Sequence, residues 1–216
     1  MRIIGIIAEY NPFHNGHAYQ IEKIRSLTQA DFVIAAMSGN FVQRGEPALI
    51  DKYARTEMAL SCGADLVIEL PALWATASAE LFASAGVALM RKCGCVDTLC
   101  FGAETDNLSL LKEVASLLVS EPEDYKEILS SCLKKGMSYP AARSQAVCSY
   151  LKEANQQIPA DELACLLNEP NNILAIEYVK ALYKLNSNIE PILIKRYETE
   201  HNDTVIHGEI ASASAI

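Results

Sequence analysis

The sequence predicts an α/β fold, a Rossmann-like and mostly parallel sheet that carries a helical insertion or annex. Two observations carry this. Short β-branched or apolar runs alternate with helix-period patterns between Ile3 and Phe101, an alternation that calls for right-handed βαβ crossovers. From Leu108 to Asn155 the strand signals vanish and helical patterns follow one another.

Taken in order, Ile3-Ile4-Gly5-Ile6-Ile7-Ala8 is the continuous apolar run of a strand buried on both faces. His17 to Leu27 reads as the first helix, and Phe32 to Met37 as the second strand. Lys52 to Cys62 is a helix with Asp51 as its N-cap, because an aspartate there satisfies free N–H groups of the first turn. Leu66 to Leu70, Ser78 to Arg91 and Thr98 to Phe101 continue as strand, helix and strand. The helical segment divides into Leu108–Val119, Tyr125–Lys135 and Pro140–Ala154. Asn171 and Asn172 open a further helix through Leu182, and Ile189 to Lys195 reads as a last strand. The expected organisation is an α/β domain over residues 1–107 and 168–216, with the helical segment over 108–167. Ala211 to Ile216 stops without a terminating signal, as at a fragment boundary.

With 216 residues and 50% hydrophobic content the chain is long enough to bury a substantial core. A formal charge of -9 excludes a generally basic, nucleic-acid-coating surface and leaves room only for a local basic groove. The first apolar run is too short for a signal peptide and is stopped by Glu9; no stretch is long enough to span a membrane. Seven cysteines, an odd number within helix and strand patterns, fit free thiols in a reducing cytoplasm. Cys93, Cys95 and Cys100 lack the spacing of a metal cluster, and Trp74 reads as a packing residue ahead of a helix.

The chemistry concentrates after the first strand. In an open α/β sheet, ligands bind beyond the carboxyl ends of the strands, and Glu9 to His17 occupies that place while opening the first helix. Gly16 lets backbone approach a ligand, and the N–H groups of a helix start favour phosphate. His14 and His17, three residues apart, point the same way and can donate to phosphate oxygens as charge builds during attack at an α-phosphorus. The plainer reading makes the histidines turn and cap residues. A zinc site would need the His-Glu-x-x-His arrangement and a third ligand, and neither is evident. Beyond the second strand, the loop from Ser38 to Gly45 offers Ser38, Asn40, Gln43 and Arg44 as candidates for holding an acid, a phosphate or a nucleoside.

His14-Asn15-Gly16-His17 matches the His-x-Gly-His signature of the nucleotidyltransferase superfamily, which includes class I aminoacyl-tRNA synthetases and pantetheine-phosphate adenylyltransferases. The longer runs from Gly5 to His17, Met37 to Pro47 and Pro170 to Leu174 resemble the bacterial tRNA(Met) cytidine acetate ligase family, and the resemblance extends from Met1 to Ile216. It implies a HUP-type nucleotidyltransferase domain that uses ATP, with Mg²⁺ accompanying it, to turn acetate into acetyl-adenylate. The acetyl group then passes to N4 of the wobble cytidine of elongator tRNA(Met). Members of that family are nearly twice this length, so their C-terminal part is expected to be absent from this chain. The resemblance places the ATP site on Ile7-Ala8-Glu9-Tyr10-Asn11-Pro12-Phe13-His14-Asn15-Gly16-His17-Ala18-Tyr19-Gln20, with Gly102, Asn171 in preference to Asn172, and Arg196. Gly102 ends the fourth strand, where a side chain would crowd a nucleotide, and Arg196 follows the last strand, in place to grip a phosphate or an adenine ring. Ser212 to Ile216 resembles the start of the superfamily's second phosphate motif. Two other readings stay open: a small-molecule adenylyltransferase, and a nucleotide- or RNA-binding module without full activity.

Overall fold

Five strands in the computed structural model, which describes residues 1–154 and 158–196, form a parallel sheet. They are β1 (Ile3–Ala8), β2 (Phe32–Ser38), β3 (Leu66–Leu70), β4 (Thr98–Ala103) and β5 (Glu190–Lys195), in the spatial order β3-β2-β1-β4-β5. The chain builds outward from β1 to β3, then returns to β1's other side with β4. The strand order therefore reverses between β1 and β4, and that crevice is where an open α/β sheet binds its ligand.

The helices are α1 (Asn15–Thr28), α2 (Lys52–Ser61), α3 (Ala72–Ala75), α4 (Ala79–Cys93), α5 (Leu108–Ser120), α6 (Glu123–Lys134), α7 (Tyr139–Ala154), α8 (Ala160–Asn168) and α9 (Pro170–Lys184). The run Ile3 to Ala8 is apolar throughout because both faces of β1 are covered. Ile4 and Ile6 join Val33, Ala35 and Cys100 against Ile21 and Ile24 of α1. Ile3 and Ile7 join Ile34, Leu99 and Phe101 under α4, α5 and α9. Burying one such side chain contributes roughly 1.5–3 kcal/mol. Close contact of α4 with β1 needs a residue lacking Cβ: a Cβ at Gly86 would lie 2.7 Å from Ile7 Cδ1.

The strands and the N-cap Asp51 lie where the sequence places them, and most helix ends fall within two residues of their predicted positions. Three elements are additional: α3, α8 and a 3₁₀ turn at Gln43–Gly45. Each is short, and α8 places Leu163 and Leu166 in the same apolar cluster as the sheet's helices. Helices α5 to α8 thus all contribute to that cluster, and α5 lies directly along α9. Trp74 corrects its expectation: it is 39% exposed on α3 and is not a core residue. Cys100 is buried in β4, Cys95 is exposed, and all seven cysteines are free thiols. Among the described residues no helix is long and apolar enough to cross a membrane. The Ser212–Ile216 motif lies outside the described residues.

Candidate functional site

The turn between β1 and α1 is organised by its own histidines. Tyr10 takes a left-handed φ of 51°, the Asn11–Pro12 peptide is cis, and His14 is the extended N-cap of α1. His14 Nδ1 accepts a hydrogen bond from the Gly16 N–H (3.1 Å), while His17 Nδ1 accepts from the His14 N–H (3.2 Å). This is a capping box made by two imidazoles. Their rings stack with centroids 3.7 Å apart. Since each Nδ1 accepts a main-chain proton, each neutral ring carries its hydrogen on Nε2. Capping and phosphate binding are therefore compatible uses of one side chain: Nδ1 serves the helix, and Nε2–H is the remaining donor.

Both rings are held neutral. Burial, helped by Arg196, lowers the His14 pKa to about 4; burial, then His14 and Arg196, lower that of His17 to about 2. Tyr10 and Phe13 fix the His17 ring, with centroids 4.8 and 5.5 Å away. Tyr10 is almost fully buried and its hydroxyl has no partner among the described residues, so burial pushes its pKa up.

Across the crevice, β4 ends at Ala103, whose carbonyl accepts from the Arg196 N–H at 2.8 Å. The exposed Arg196 lays its stem over Gly102, where an added Cβ would lie 3.2 Å from Arg196 Cγ. A side chain at Gly102 would therefore press on the Arg196 stem. The two asparagines divide their work. Asn172 is fully buried, its Oδ1 accepting from the Glu104 and Thr105 N–H groups at 3.0 Å each. Asn171 is half-buried, its Nδ2 donating to Glu104 Oε1 at 2.6 Å. Of the pair, Asn171 is the one that keeps some exposure at this edge.

The remaining predicted residues spread around the turn. Asn15 begins α1, and Ala18, Tyr19 and Gln20 are half-buried on its following turn. Ile7 faces away, against Gly86 of α4. The loop after β2 is built against the β1–α1 turn: the Gln43 N–H donates to Glu9 Oε1 (2.6 Å) and the Leu49 N–H to Asn11 Oδ1 (2.7 Å). Asn40 is exposed, and Arg44 falls in the 3₁₀ turn. Ser38 differs from its expected loop position: it is the last residue of β2, fully buried, with no hydroxyl partner among the described residues. Sequence reasoning missed Arg55 entirely. It is fully buried on α2, and its guanidinium reaches the carbonyls of Glu9, just after β1, and of Ser38, the last residue of β2. An arginine in a helix pattern carries no local sign of burial; only the tertiary approach of three segments shows it.

The profile of the HIGH Nucleotidyl Transferase family matches residues 1–216. Two curated relatives named tRNA(Met) cytidine acetate ligase, from Clostridium perfringens and Acetivibrio thermocellus, are each 50% identical over the whole chain, which covers 54% and 51% of them. Among solved structures, Thermotoga maritima TmcAL in its apo form aligns with a TM-score of 0.93 at 42% identity, over 100% of this chain and 50% of that one. The same protein bound with alpha-thio ATP aligns at 0.90 and 40% identity, over 100% of this chain and 49% of that one. The chain thus spans about half the length of the relatives it matches.

Proposed function

The chain belongs to the HIGH nucleotidyl transferase family, and on that premise we propose that it binds ATP at the β1–α1 turn, activates acetate as acetyl-adenylate and serves the N4-acetylation of the wobble cytidine in elongator tRNA(Met), in the cytoplasm. The single observation that carries the reading is the pair of neutral, stacked imidazoles. They stand at the start of α1 in the strand-order crevice, with Arg196 beside them.

Acetate is a poor acyl donor to an amine because its leaving group would be oxide. In the first step a carboxylate oxygen attacks the α-phosphorus of ATP, an acyl–phosphate bond forms and pyrophosphate leaves. His14 and His17 donate from Nε2 to the phosphate oxygens that gain charge, and the N–H groups that open α1 add their dipole. Neutral donors suit this role, since they hold the oxygens without giving up a proton. Arg196 supplies the fixed positive charge, and Asn171, placed at the β4 edge, would meet the nucleotide from the other wall. In the second step the cytidine amino group attacks the acetyl carbonyl, AMP leaves, and the nitrogen loses one proton. In this reading the loop from Asn40 to Arg44, which follows β2, would form the wall for acid or nucleoside. Among the described residues no group of three His, Cys, Asp or Glu side chains is placed to hold a metal. Mg²⁺ accompanying the nucleotide would neutralise charge on its phosphates.

The test is mass spectrometry of the protein incubated with ATP and acetate, followed by digestion of added tRNA(Met). Acetyl-adenylate and N4-acetylcytidine are expected. ATP bound without acetyl-adenylate would reduce the chain to a nucleotide-binding module, and adenylylation of a different acid would make it a different adenylyltransferase.

A further inference from the structure

Arg55 is one of the largest fully buried side chains among the described residues. Taking a guanidinium out of water costs several kcal/mol unless its five donors are met. Here four of the five are met, each by a main-chain carbonyl. Nε donates to Ile50 O (2.9 Å), Nη1 to Glu9 O (2.6 Å) and Ser38 O (3.0 Å), and Nη2 to Gly39 O. Those acceptors belong to three separate segments: the residue after β1, the end of β2 with its following loop, and the residue before the α2 cap. The ion pairs among the described residues do not include Arg55, and Asp51, Glu9 and Glu69 act on it through their field.

Two further bonds tie the same pieces together. Gln43 N–H to Glu9 Oε1 and Leu49 N–H to Asn11 Oδ1 run from the 38–50 loop to the turn that leads to His14. A carbonyl-only partner set does not suit a surface ion pair. It suits a planar fork that fixes the relative position of strand ends, which lysine, a point donor on a flexible stem, cannot reproduce.

We infer that Arg55 is a positioning residue: it locks the 9–17 turn and the 38–50 loop into one unit, so that a ligand held on the turn also orders the loop. This rests on the reading of the turn as the ATP site, and it adds a function for a residue outside that site. The chemistry at stake is geometric. Displacing the phosphate-binding turn by about 1 Å relative to the wall opposite is enough to cost about 100-fold in a step that depends on alignment.

The experiment is amide hydrogen exchange read by mass spectrometry on wild type and Arg55→Lys, with and without ATP, beside pyrophosphate-exchange kinetics on the same samples. In wild type, ATP is expected to slow exchange in both 9–17 and 38–50. In Arg55→Lys, circular dichroism stays that of the folded chain. Exchange in both segments rises together by about 10-fold or more while β4 and α9 keep their protection, ATP no longer slows the loop, and kcat falls by about 10- to 100-fold. A purely local staple would loosen residues 50–56 alone and leave kcat of the folded protein unchanged, and that result overturns the inference. Should Arg55→Lys fail to fold, the wild-type arm decides. ATP that protects the turn but not the loop refutes the coupling, whereas ATP that protects neither refutes the ATP reading itself.

Discussion

Replacing Asn172 by alanine tests whether the two adjacent asparagines have been assigned correctly. The Asn172 amide is fully buried, and its oxygen is the acceptor for the Glu104 and Thr105 N–H groups. Truncation strands both donors in the crease between β4 and α9, with only a 3.4 Å bond from Nδ2 to Cys165 O lost besides. A buried main-chain donor without an acceptor costs about 1–3 kcal/mol, and water admitted by the missing amide relieves part of this, so about 2–4 kcal/mol is expected. For a chain of this size each kcal/mol moves Tm by about 2–4 °C, which gives a fall of about 4–16 °C by thermal circular dichroism. Asn171→Ala removes one half-buried bond to Glu104 and should cost under about 1 kcal/mol while weakening ATP binding about 10-fold, read by calorimetric titration. A Tm for Asn172→Ala within 2 °C of wild type, in order of magnitude, or a larger loss for Asn171→Ala, would refute the division of labour.

Three other outcomes follow from the site. His14→Ala and His17→Ala should each lose about 1 kcal/mol of helix capping but about 100-fold or more in pyrophosphate exchange; a folded variant with wild-type exchange removes that histidine from the chemistry. In the ATP-free protein, NMR titration of His14 should show a midpoint about 4, moving up in Arg196→Gln as one of the two causes of the depression is removed. Because the folded pKa lies below that of the unfolded chain, the unfolded state takes the proton first. Stability is then full above the ordinary histidine value of 6.5 and is lost as pH falls from there toward 4; a midpoint unchanged at 6.5 contradicts this. Gly102→Ala should leave Tm nearly unchanged, since the exposed Arg196 stem can shift, yet weaken ATP binding in the same direction as Arg196→Ala, the two being less than additive; full additivity in the double variant would separate them.

The parallel sheet was legible because β1, β2 and β4 announce themselves as dense apolar runs separated by helix-period patterns, and because Asp51 marks a helix start with local chemistry. The strand-order reversal that gives the β1–α1 turn its place was not, since order depends on which face each crossover takes. His14 and His17 were legible as a pair by spacing, but their tautomer was not: it follows from the reciprocal Nδ1 bonds, which exist only once the turn has closed. Ser38 read as a loop residue because serine ends strands and begins loops alike; its burial comes from the segments that close over β2. Arg55 escaped for the same reason, its four acceptors being drawn from positions 9, 38, 39 and 50. Gly102 was singled out at the right strand end, while its neighbour proved to be Arg196, a contact set by the pairing of β4 with β5.

The most direct measurement is exchange of labelled pyrophosphate into ATP, with and without acetate, by wild type and His14→Ala. Activation of acetate at the β1–α1 turn predicts exchange that requires acetate and collapses by about 100-fold in the variant. Exchange independent of acetate, or equal in both proteins, would contradict it.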